Sequence, residues 1–247
     1  MRAHRQRSLV QRFSANTLSV GLAVSLSSMA LACGGDDDDD GNAGGADSGP
    51  GDSVCGFSDR FLPFEDGYSW TYRVTSLGTP EVVTKSQSLT AETDPVLGDV
   101  LVQVTEKDNG TTVSKFQLDG EAVLRRLQED RDATGALEKT TTYDPGQLRI
   151  DEASDRITLG AEWDSIYEVV QTDSTGFELS RGSTTDHWEV LGVDVDCSSP
   201  LGDFKCLQLR RQRTAGGISD KQYFFAKGIG KVKEVNANQV EELVSCE

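Results

Sequence analysis

The sequence has 247 residues, with 24 Lys+Arg against 41 Asp+Glu and a formal net charge of −17 at pH 7. Nucleic acid and anionic phospholipid both require a basic protein face, so this acidic excess argues against binding to either. The only histidines are His4 and His187, and no two of the five cysteines are separated by two residues. We therefore expect no zinc site, and nothing in the sequence indicates another metal or a cofactor.

The first 32 residues have the pattern of a secretory signal. Four arginines lie within the first twelve residues, whereas residues 13–32 carry no charge. A basic segment followed by an apolar segment and small residues is typical of a cleaved signal peptide, here residues 1–32. The uncharged stretch is also long enough for a membrane anchor, but its seven Ser, Thr and Asn residues make it a poor permanent span.

The segment ends in Ala30-Leu31-Ala32-Cys33, which resembles the lipobox of bacterial lipoproteins, with Ala30 in the place where that motif usually has Leu. The resemblance implies cleavage before Cys33, a diacylglyceryl group on its thiol, and acylation of the new N-terminus, for example by palmitate. Several acyl chains would hold the protein at a membrane almost permanently. An ordinary secretion signal would leave the cysteine unexplained. We therefore expect a lipid-anchored protein of the cell envelope, with the outer membrane favoured.

Residues 33–54 form an acidic, Gly-rich segment in which residues 36–40 are all aspartate. This composition cannot bury enough apolar surface to fold, and charge repulsion favours an extended chain. A calcium site would need ligands held in a folded loop, so we predict a disordered tether. Beyond it, 20 Lys+Arg remain against 34 Asp+Glu, which gives the following region a net charge of −14.

With Cys33 assigned to lipid, four cysteines remain, and an even number in an exported protein suggests disulfides. Counting alone permits three pairings. Cys197 and Cys206 flank a turn-rich loop between two strand-like runs, which favours a bridge across a hairpin. Cys55 and Cys246 would then tie together the first and last segments of the folded region.

Residues 55–247 are predicted to form a single β-rich domain, because apolar and polar residues alternate with a period of two. Trp70, Tyr72 and Val74, for example, would share one face of a strand. Residues 121–130 could form a helix by composition, but turn signals on both sides favour a strand. The predicted runs are 68–74, 100–104, 113–118, 122–128, 137–143, 147–150, 163–171, 186–196, 204–213, 221–226, 231–236 and 240–246.

We expect an all-β, antiparallel, up-and-down sheet of ten or more strands, curled into a barrel, half-barrel or sandwich because so many strands cannot stay flat. Residues 61–72, FLPFEDGYSWTY, resemble the phrase FPL…G…W.Y that opens the β domain of many uncharacterised bacterial exported lipoproteins. Residues 202–209 and 223–232 resemble a hairpin and a closing phrase of the same proteins. The resemblance implies a curved open sheet similar to that of periplasmic lipoprotein carriers. It supplies no catalytic residue, since a fold does not determine a function.

His187 is the only histidine that remains after cleavage, and catalysis would require an acid and a nucleophile close to it. Ser183 and Asp186 are the nearest candidates, but neither lies in a recognisable nucleophile motif. We therefore expect a histidine at the surface or rim and no catalytic residue. A hydrolase of unknown type is the enzymatic alternative.

For three other patterns we favour a structural interpretation over a functional site. Residues 130–135 resemble the start of a calcium loop, but Thr141 stands where a bidentate Glu belongs, so a polar hairpin turn is expected. Asp194 and Asp196 would share a solvated strand face, with the valines beside them pointing inward. The basic run at residues 210–213 is too short for nucleic-acid binding in so acidic a domain.

Seven aromatic residues could line a ligand cavity in a curled sheet, although core packing is the interpretation that we favour. The sequence therefore predicts a non-enzymatic lipoprotein whose β domain serves binding, envelope structure or assembly. The alternative is a carrier or sensor of a lipid or other apolar ligand. Expected partners are the membrane, through lipid on Cys33, and envelope proteins or an apolar ligand. The aromatic residues are Trp70, Tyr72, Trp163, Tyr167, Trp188, Tyr223 and Phe225.

Overall fold

The computed structural model describes residue 55 and residues 58–79, 81–214 and 219–247. The predicted signal peptide, Cys33 and the tether lie outside the described residues. Among the described residues there is no helix with the length and apolarity needed to cross a membrane.

Twelve antiparallel strands in the described part of the chain run up and down around a closed barrel. This confirms the all-β, up-and-down architecture and selects the barrel from the three predicted forms. The strands are β1 (Ser69–Ser76), β2 (Val82–Asp94), β3 (Gly98–Lys107), β4 (Gly110–Asp119), β5 (Ala122–Arg131), β6 (Leu137–Asp151), β7 (Glu162–Asp173), β8 (Glu178–Ser199), β9 (Gly202–Arg213), β10 (Ser219–Ala226), β11 (Gly230–Asn236) and β12 (Gln239–Cys246).

The barrel closes where β1 pairs with β12, with Trp70 opposite Cys246 and Val74 opposite Glu241. The open sheet implied by the family resemblance is wrong, because this pairing leaves no open edge among the described strands. Since successive strands reverse direction, the turns that follow odd-numbered strands lie at one end of the barrel. The turns that follow even-numbered strands lie at the other end, together with the segment that precedes β1. We call these the cavity end and the plug end.

Two turns at the cavity end share the sequence Asp-x-Thr-Gly. One oxygen of Asp132, and likewise of Asp173, accepts hydrogen bonds from the backbone amides two and four residues ahead, at 2.8 and 3.0 Å in both turns. Gly135 and Gly176 complete the turns with φ of 84° and 86°, a region that favours glycine. The Asp132 carboxylate is thus used within a hairpin turn, which is the expected structure for residues 130–135.

Residues 58–68, the plug segment, cover the plug end. Phe61, Leu62 and Phe64 in this segment are buried. The backbone amides of Phe61 and Leu62 donate to the carboxylate of Glu152, at 2.8 and 3.0 Å. In addition, the Trp70 indole donates to the carbonyl of Ile229 at 2.7 Å. The phrase identified in the sequence therefore closes one end of the barrel.

The half of the barrel next to the plug segment is filled with apolar side chains. The rings of Trp163 and Trp188 stack with centroids 6.2 Å apart, Tyr223 stacks on Trp188 at 5.9 Å, and Phe225 on Tyr223 at 6.0 Å. Phe116, which is 1% exposed, packs edge-to-face on a plug-segment ring. These aromatic rings therefore pack against one another.

Both disulfides lie at the plug end. Cys55 is joined to Cys246, the last residue of β12, with the two Cα atoms 5.4 Å apart. Cys197 and Cys206 are joined across the β8–β9 hairpin, with Cα atoms 6.1 Å apart. The first bridge ties the chain that enters the plug segment to the last strand of the barrel.

Candidate functional site

The inward-facing side chains change from apolar at the plug end to charged at the cavity end. On β9, Leu207 and Leu209 are followed on the same face by Arg211, whereas on β10, which runs in the opposite direction, Lys221 precedes Tyr223. The register places Leu209 opposite Tyr223 and Arg211 opposite Lys221. The apolar layer is thus covered by a charged layer inside the same barrel.

The charged layer surrounds a cavity of about 520 Å³, which reaches the β3–β4 turn at the cavity end. This volume lies within the range of small-molecule sites. Amide and hydroxyl groups, including those of Gln87, Thr105 and Gln128, share its wall. Its charged residues from the strands are Lys85, Lys107, Arg125, Asp130, Arg149, Lys221, Lys231, Glu234 and Glu241.

Three lysines and two glutamates form a continuous chain of ion pairs along one wall. Lys231 donates to Glu234 at 2.8 Å and also contacts Glu241. Lys221 extends the chain from Glu234, at 2.7 Å, and Lys85 extends it from Glu241. Because burial without a partner would be costly for each of these charges, their alternation is what permits them inside the barrel.

The ring of Tyr72 lies beneath this chain, with the Lys85 and Lys231 ammonium groups 4.9 and 5.0 Å from its centroid. Burial, followed by the positive charge of Lys231, lowers the pKa of Lys85 to about 7. Burial acts against the charge of Lys231 as well, but Glu234 and Glu241 outweigh it and raise the Lys231 pKa. Lys231 is therefore the permanently charged centre of the chain, and Lys85 titrates near neutral pH.

A second buried network is centred on Asp186, which is fully buried. Its carboxylate accepts from Arg213 Nε at 2.9 Å and from the Tyr167 hydroxyl at 2.7 Å. Gln147 in turn donates to the Tyr167 oxygen at 3.0 Å. Burial and the hydrogen bond to Asp186 raise the pKa of Tyr167 to about 12, so its hydroxyl stays protonated as a donor.

The candidate catalytic residues of the sequence are not assembled into one site. His187 follows Asp186 directly in β8, so the two side chains are on opposite faces of the sheet. The His187 ring nitrogen Nδ1 lies 2.8 Å from Asp164 Oδ1 at the outer surface, where the imidazole is 34% exposed. Ser183 is exposed, and no hydrogen bond joins it to His187 among the described residues.

The acidic strand face and the basic run identified in the sequence have side chains both outside and inside the barrel. Asp196 pairs with Lys205 on the surface, at 2.5 Å. The expectation that Val193 points inward is wrong: Val193 is 37% exposed, because an irregularity between Gly192 and Val195 breaks the alternation. The basic run is likewise split, since Arg210 pairs with Asp220 outside the barrel, whereas the two arginines that follow it approach Asp186 inside.

A second concavity lies near the plug end, beside strands β2, β3 and β4. Its volume is about 560 Å³ and its wall includes Val100, Leu101, Phe116 and Leu118. Glu92 and other polar residues stand beside these apolar groups. We call this concavity the apolar groove.

The sequence matches no protein-family model and no curated protein. Two solved structures are similar to this chain. One, from Bacteroides fragilis, is designated an exported protein with a YmcC-like fold; it has a TM-score of 0.48 and 14% identity and covers 78% of this chain and 100% of its own. The other, from Parabacteroides distasonis, is designated a lipoprotein; it has a TM-score of 0.40 and 10% identity and covers 79% and 100%.

Proposed function

We propose that this protein is a lipoprotein of the bacterial cell envelope, anchored through lipid on Cys33, and that its barrel is a non-catalytic module that binds a small polar ligand. The cavity at one end of the barrel is the observation that carries the binding role. Its volume of about 520 Å³ suits a small molecule, and its wall offers charged, amide and hydroxyl groups.

Stability alone does not explain why these charges lie inside the barrel. Replacing a whole buried ion-pair network with apolar residues of similar volume often leaves the stability unchanged or raises it, although removing one partner alone is destabilising. The apolar layer near the plug end shows that aromatic and aliphatic side chains can fill the interior of this barrel. A charged and partly unfilled layer is therefore better explained by a ligand than by packing.

Binding is favoured over catalysis by the position of the titratable groups. His187, the one histidine of the described residues, lies on the outer surface beside Asp164 and faces away from the cavity. Inside the cavity, the carboxylates of Glu234 and Glu241 are held by lysines, which lower the pKa of both in spite of burial. Carboxylates held in this way are poor general bases.

The membrane anchor is tested by changing Cys33→Ala and locating the protein by cell fractionation. We expect the variant to leave the membrane fraction, while a tether control, Ser53→Ala, remains there. Mass spectrometry of the wild-type N-terminus should find residue 33 acylated. Recovery of an unmodified Cys33, or of residues 1–32 still attached, would overturn the anchor.

The binding role is tested by native mass spectrometry of the mature protein extracted from membranes. Gln87→Trp should fill the cavity, because Gln87 lines it, and should displace a co-purifying molecule. Ser88→Trp is the matched control, since neighbouring residues of a strand point to opposite faces. Retention of the molecule by the Gln87 variant would place binding elsewhere on the protein.

Carriage of an apolar ligand is the second candidate, and the apolar groove favours it. Leu118 lines this groove and is 49% exposed, so Leu118→Asp should leave the fold intact. If the groove carries apolar molecules, this change should abolish binding of an uncharged fluorescent naphthylamine, whereas Gln87→Trp should not affect it. An apolar ligand inside the barrel is not supported, because the inward apolar groups already pack together.

A further inference from the structure

Two arginines of the cavity differ from every other arginine in the described part of the chain. That part contains eleven arginines, and nine of them lie within 4.0 Å of an acidic oxygen. The other two, Arg125 on β5 and Arg149 on β6, both line the cavity. Acidic residues are abundant in a domain with a net charge of −14. Among the arginines of the described residues, only these two in the cavity lack an acidic neighbour.

Arg125 is held in position and is incompletely hydrogen-bonded. Its Nη1 donates to Gln128 Oε1 at 2.7 Å, and its guanidinium lies 5.3 Å from the centroid of the Phe116 ring. Its Nε is buried and has no hydrogen-bond partner among the described residues. A buried donor without a partner is costly, so an acceptor that reached it would be favoured. Three other arginines also have a buried Nε without a partner among the described residues, but each has an acidic neighbour, which Arg125 lacks: Arg126, Arg131 and Arg211. Burial, followed by the positive charge of Arg149, lowers the pKa of Arg125 to about 10.

The charges around the cavity also favour an anionic ligand. Six cations from the strands line the cavity against three acids from the strands, Asp130, Glu234 and Glu241. The last two acids are engaged by the lysine chain, and Asp130 lies 3.2 Å from Lys139. Glu81 and Asp108, in the turns near the mouth, reduce the excess from three positive charges to one, and neither lies within ion-pair distance of either arginine.

We propose that the cavity binds a small oxyanion, a carboxylate or phosphate group, through the guanidinium groups of Arg125 and Arg149. A guanidinium presents paired donors that match the oxygen spacing of both groups. The inference rests on the proposed binding function and names the ligand chemistry of that same cavity. Lys85 and Lys221 line the same cavity.

The test is calorimetric titration of the detergent-solubilised mature protein with pyrophosphate and with citrate, each against sodium chloride of equal ionic strength. We expect saturable binding of at least one of the two anions and none of chloride. Binding of pyrophosphate alone identifies phosphate as the group, and binding of citrate alone identifies carboxylate. If neither anion binds at millimolar concentration, the proposal is overturned.

Arg149→Gln and Arg125→Gln should each weaken the affinity about tenfold or more, because each removes charge-assisted hydrogen bonds. Arg126→Gln is the matched control, since Arg126 follows Arg125 in β5 and pairs with Asp144 at 3.8 Å. Arg125→Gln should also raise the midpoint of thermal unfolding without ligand, a result that a purely structural arginine would not give. Unchanged affinity in the Arg149 variant, or an equal loss in the Arg126 variant, would refute the site.

The oxyanion inference and the proposed binding function can be refuted separately. If neither anion binds, but Gln87→Trp removes an uncharged molecule that co-purifies with the wild type, the oxyanion inference is wrong and the binding function stands. If no molecule of any kind occupies the cavity, both are wrong.

Discussion

Lys231 donates to Glu234 at 2.8 Å inside the barrel, and each side chain is only 7% exposed. Through Glu241 the same ammonium is linked to Lys85, so the ion pairs join β10, β11 and β12 to β2. These strands lie on both sides of β1, whose pairing with β12 closes the barrel. The buried charges therefore bridge the seam between the first and last strands.

Glu241→Gln should destabilise the protein by about 3–5 kcal/mol, because it leaves Lys231 and Lys85 without one of their anionic partners in a buried place. Glu242 is the matched control, since it is the next residue of β12 and pairs with Arg73 and Lys233 on the outer face. Glu242→Gln should cost less than about 1 kcal/mol. Urea unfolding at pH 7 measures both values, and equal losses would contradict the role assigned to burial.

The stability of the barrel should rise with pH above neutral because of Lys85. Its pKa is about 7 in the folded protein and 10.5 as the ordinary value. Between these two values the unfolded chain holds the proton that the folded chain has lost, so the free energy of unfolding increases with pH. Below the folded value both states are protonated, and the full penalty of the buried charge is present.

Urea unfolding in the lower part of that window, below the range where tyrosines ionise, measures this slope. We expect Lys85→Gln to flatten it. Lys205→Gln is the control, because Lys205 is 64% exposed and pairs with Asp196 at the surface. A slope that persists in the Lys85 variant would assign the pH dependence to another group.

The architecture follows from the sequence because alternation is a local property. The alternation predicts that Trp70, Tyr72 and Val74 share one face of a strand, and all three are buried in β1. By contrast, β2 was missed, since its polar run from Thr84 to Ser88 contains an inward Lys85 where an apolar residue would mark a strand. The prediction of β2 therefore failed for the same reason that the cavity wall is charged: lysine occupies an inward position where an apolar residue would be expected.

The cavity could not be predicted from the sequence, because its residues come together only through the register of the closed barrel. Lys85 and Glu241 are far apart in the sequence and meet across β1. Arg125 and Arg149 gave no signal, because neither lies in a recognisable binding motif. What the sequence does contain is an exchange of apolar for charged residues at one end of some alternating runs, as from Leu209 to Arg211, and this becomes informative once the strand directions are known.

Glu152→Ala should loosen the plug segment. The change leaves the backbone amides of Phe61 and Leu62 without their acceptor, and each lost partner costs about 1–3 kcal/mol. Asp155→Ala is the matched control in the same loop, because the Asp155 side chain is 78% exposed. Hydrogen exchange of the two amides should accelerate in the Glu152 variant only. If their protection is unchanged, the carboxylate does not hold the plug segment.

The two disulfides should differ in their contribution to stability. Cys55 and Cys246 close a loop of 191 residues, whereas Cys197 and Cys206 close one of 9. In the chain-entropy model the loss of the long-range bridge costs about 5 kcal/mol and the loss of the hairpin bridge about 3 kcal/mol. We therefore expect the Cys55→Ala/Cys246→Ala variant to unfold at a lower urea concentration than Cys197→Ala/Cys206→Ala.

Peptide mapping of the oxidised wild type without reduction provides the control, and a Cys55 peptide joined to Cys197 or Cys206 would contradict the pairing. The two bridges also join different parts of the fold. The hairpin bridge joins β8 and β9, which are already paired as neighbouring strands, while the long-range bridge joins the chain before the plug segment to β12. Loss of the long-range bridge alone should therefore also accelerate hydrogen exchange at Phe61 and Leu62.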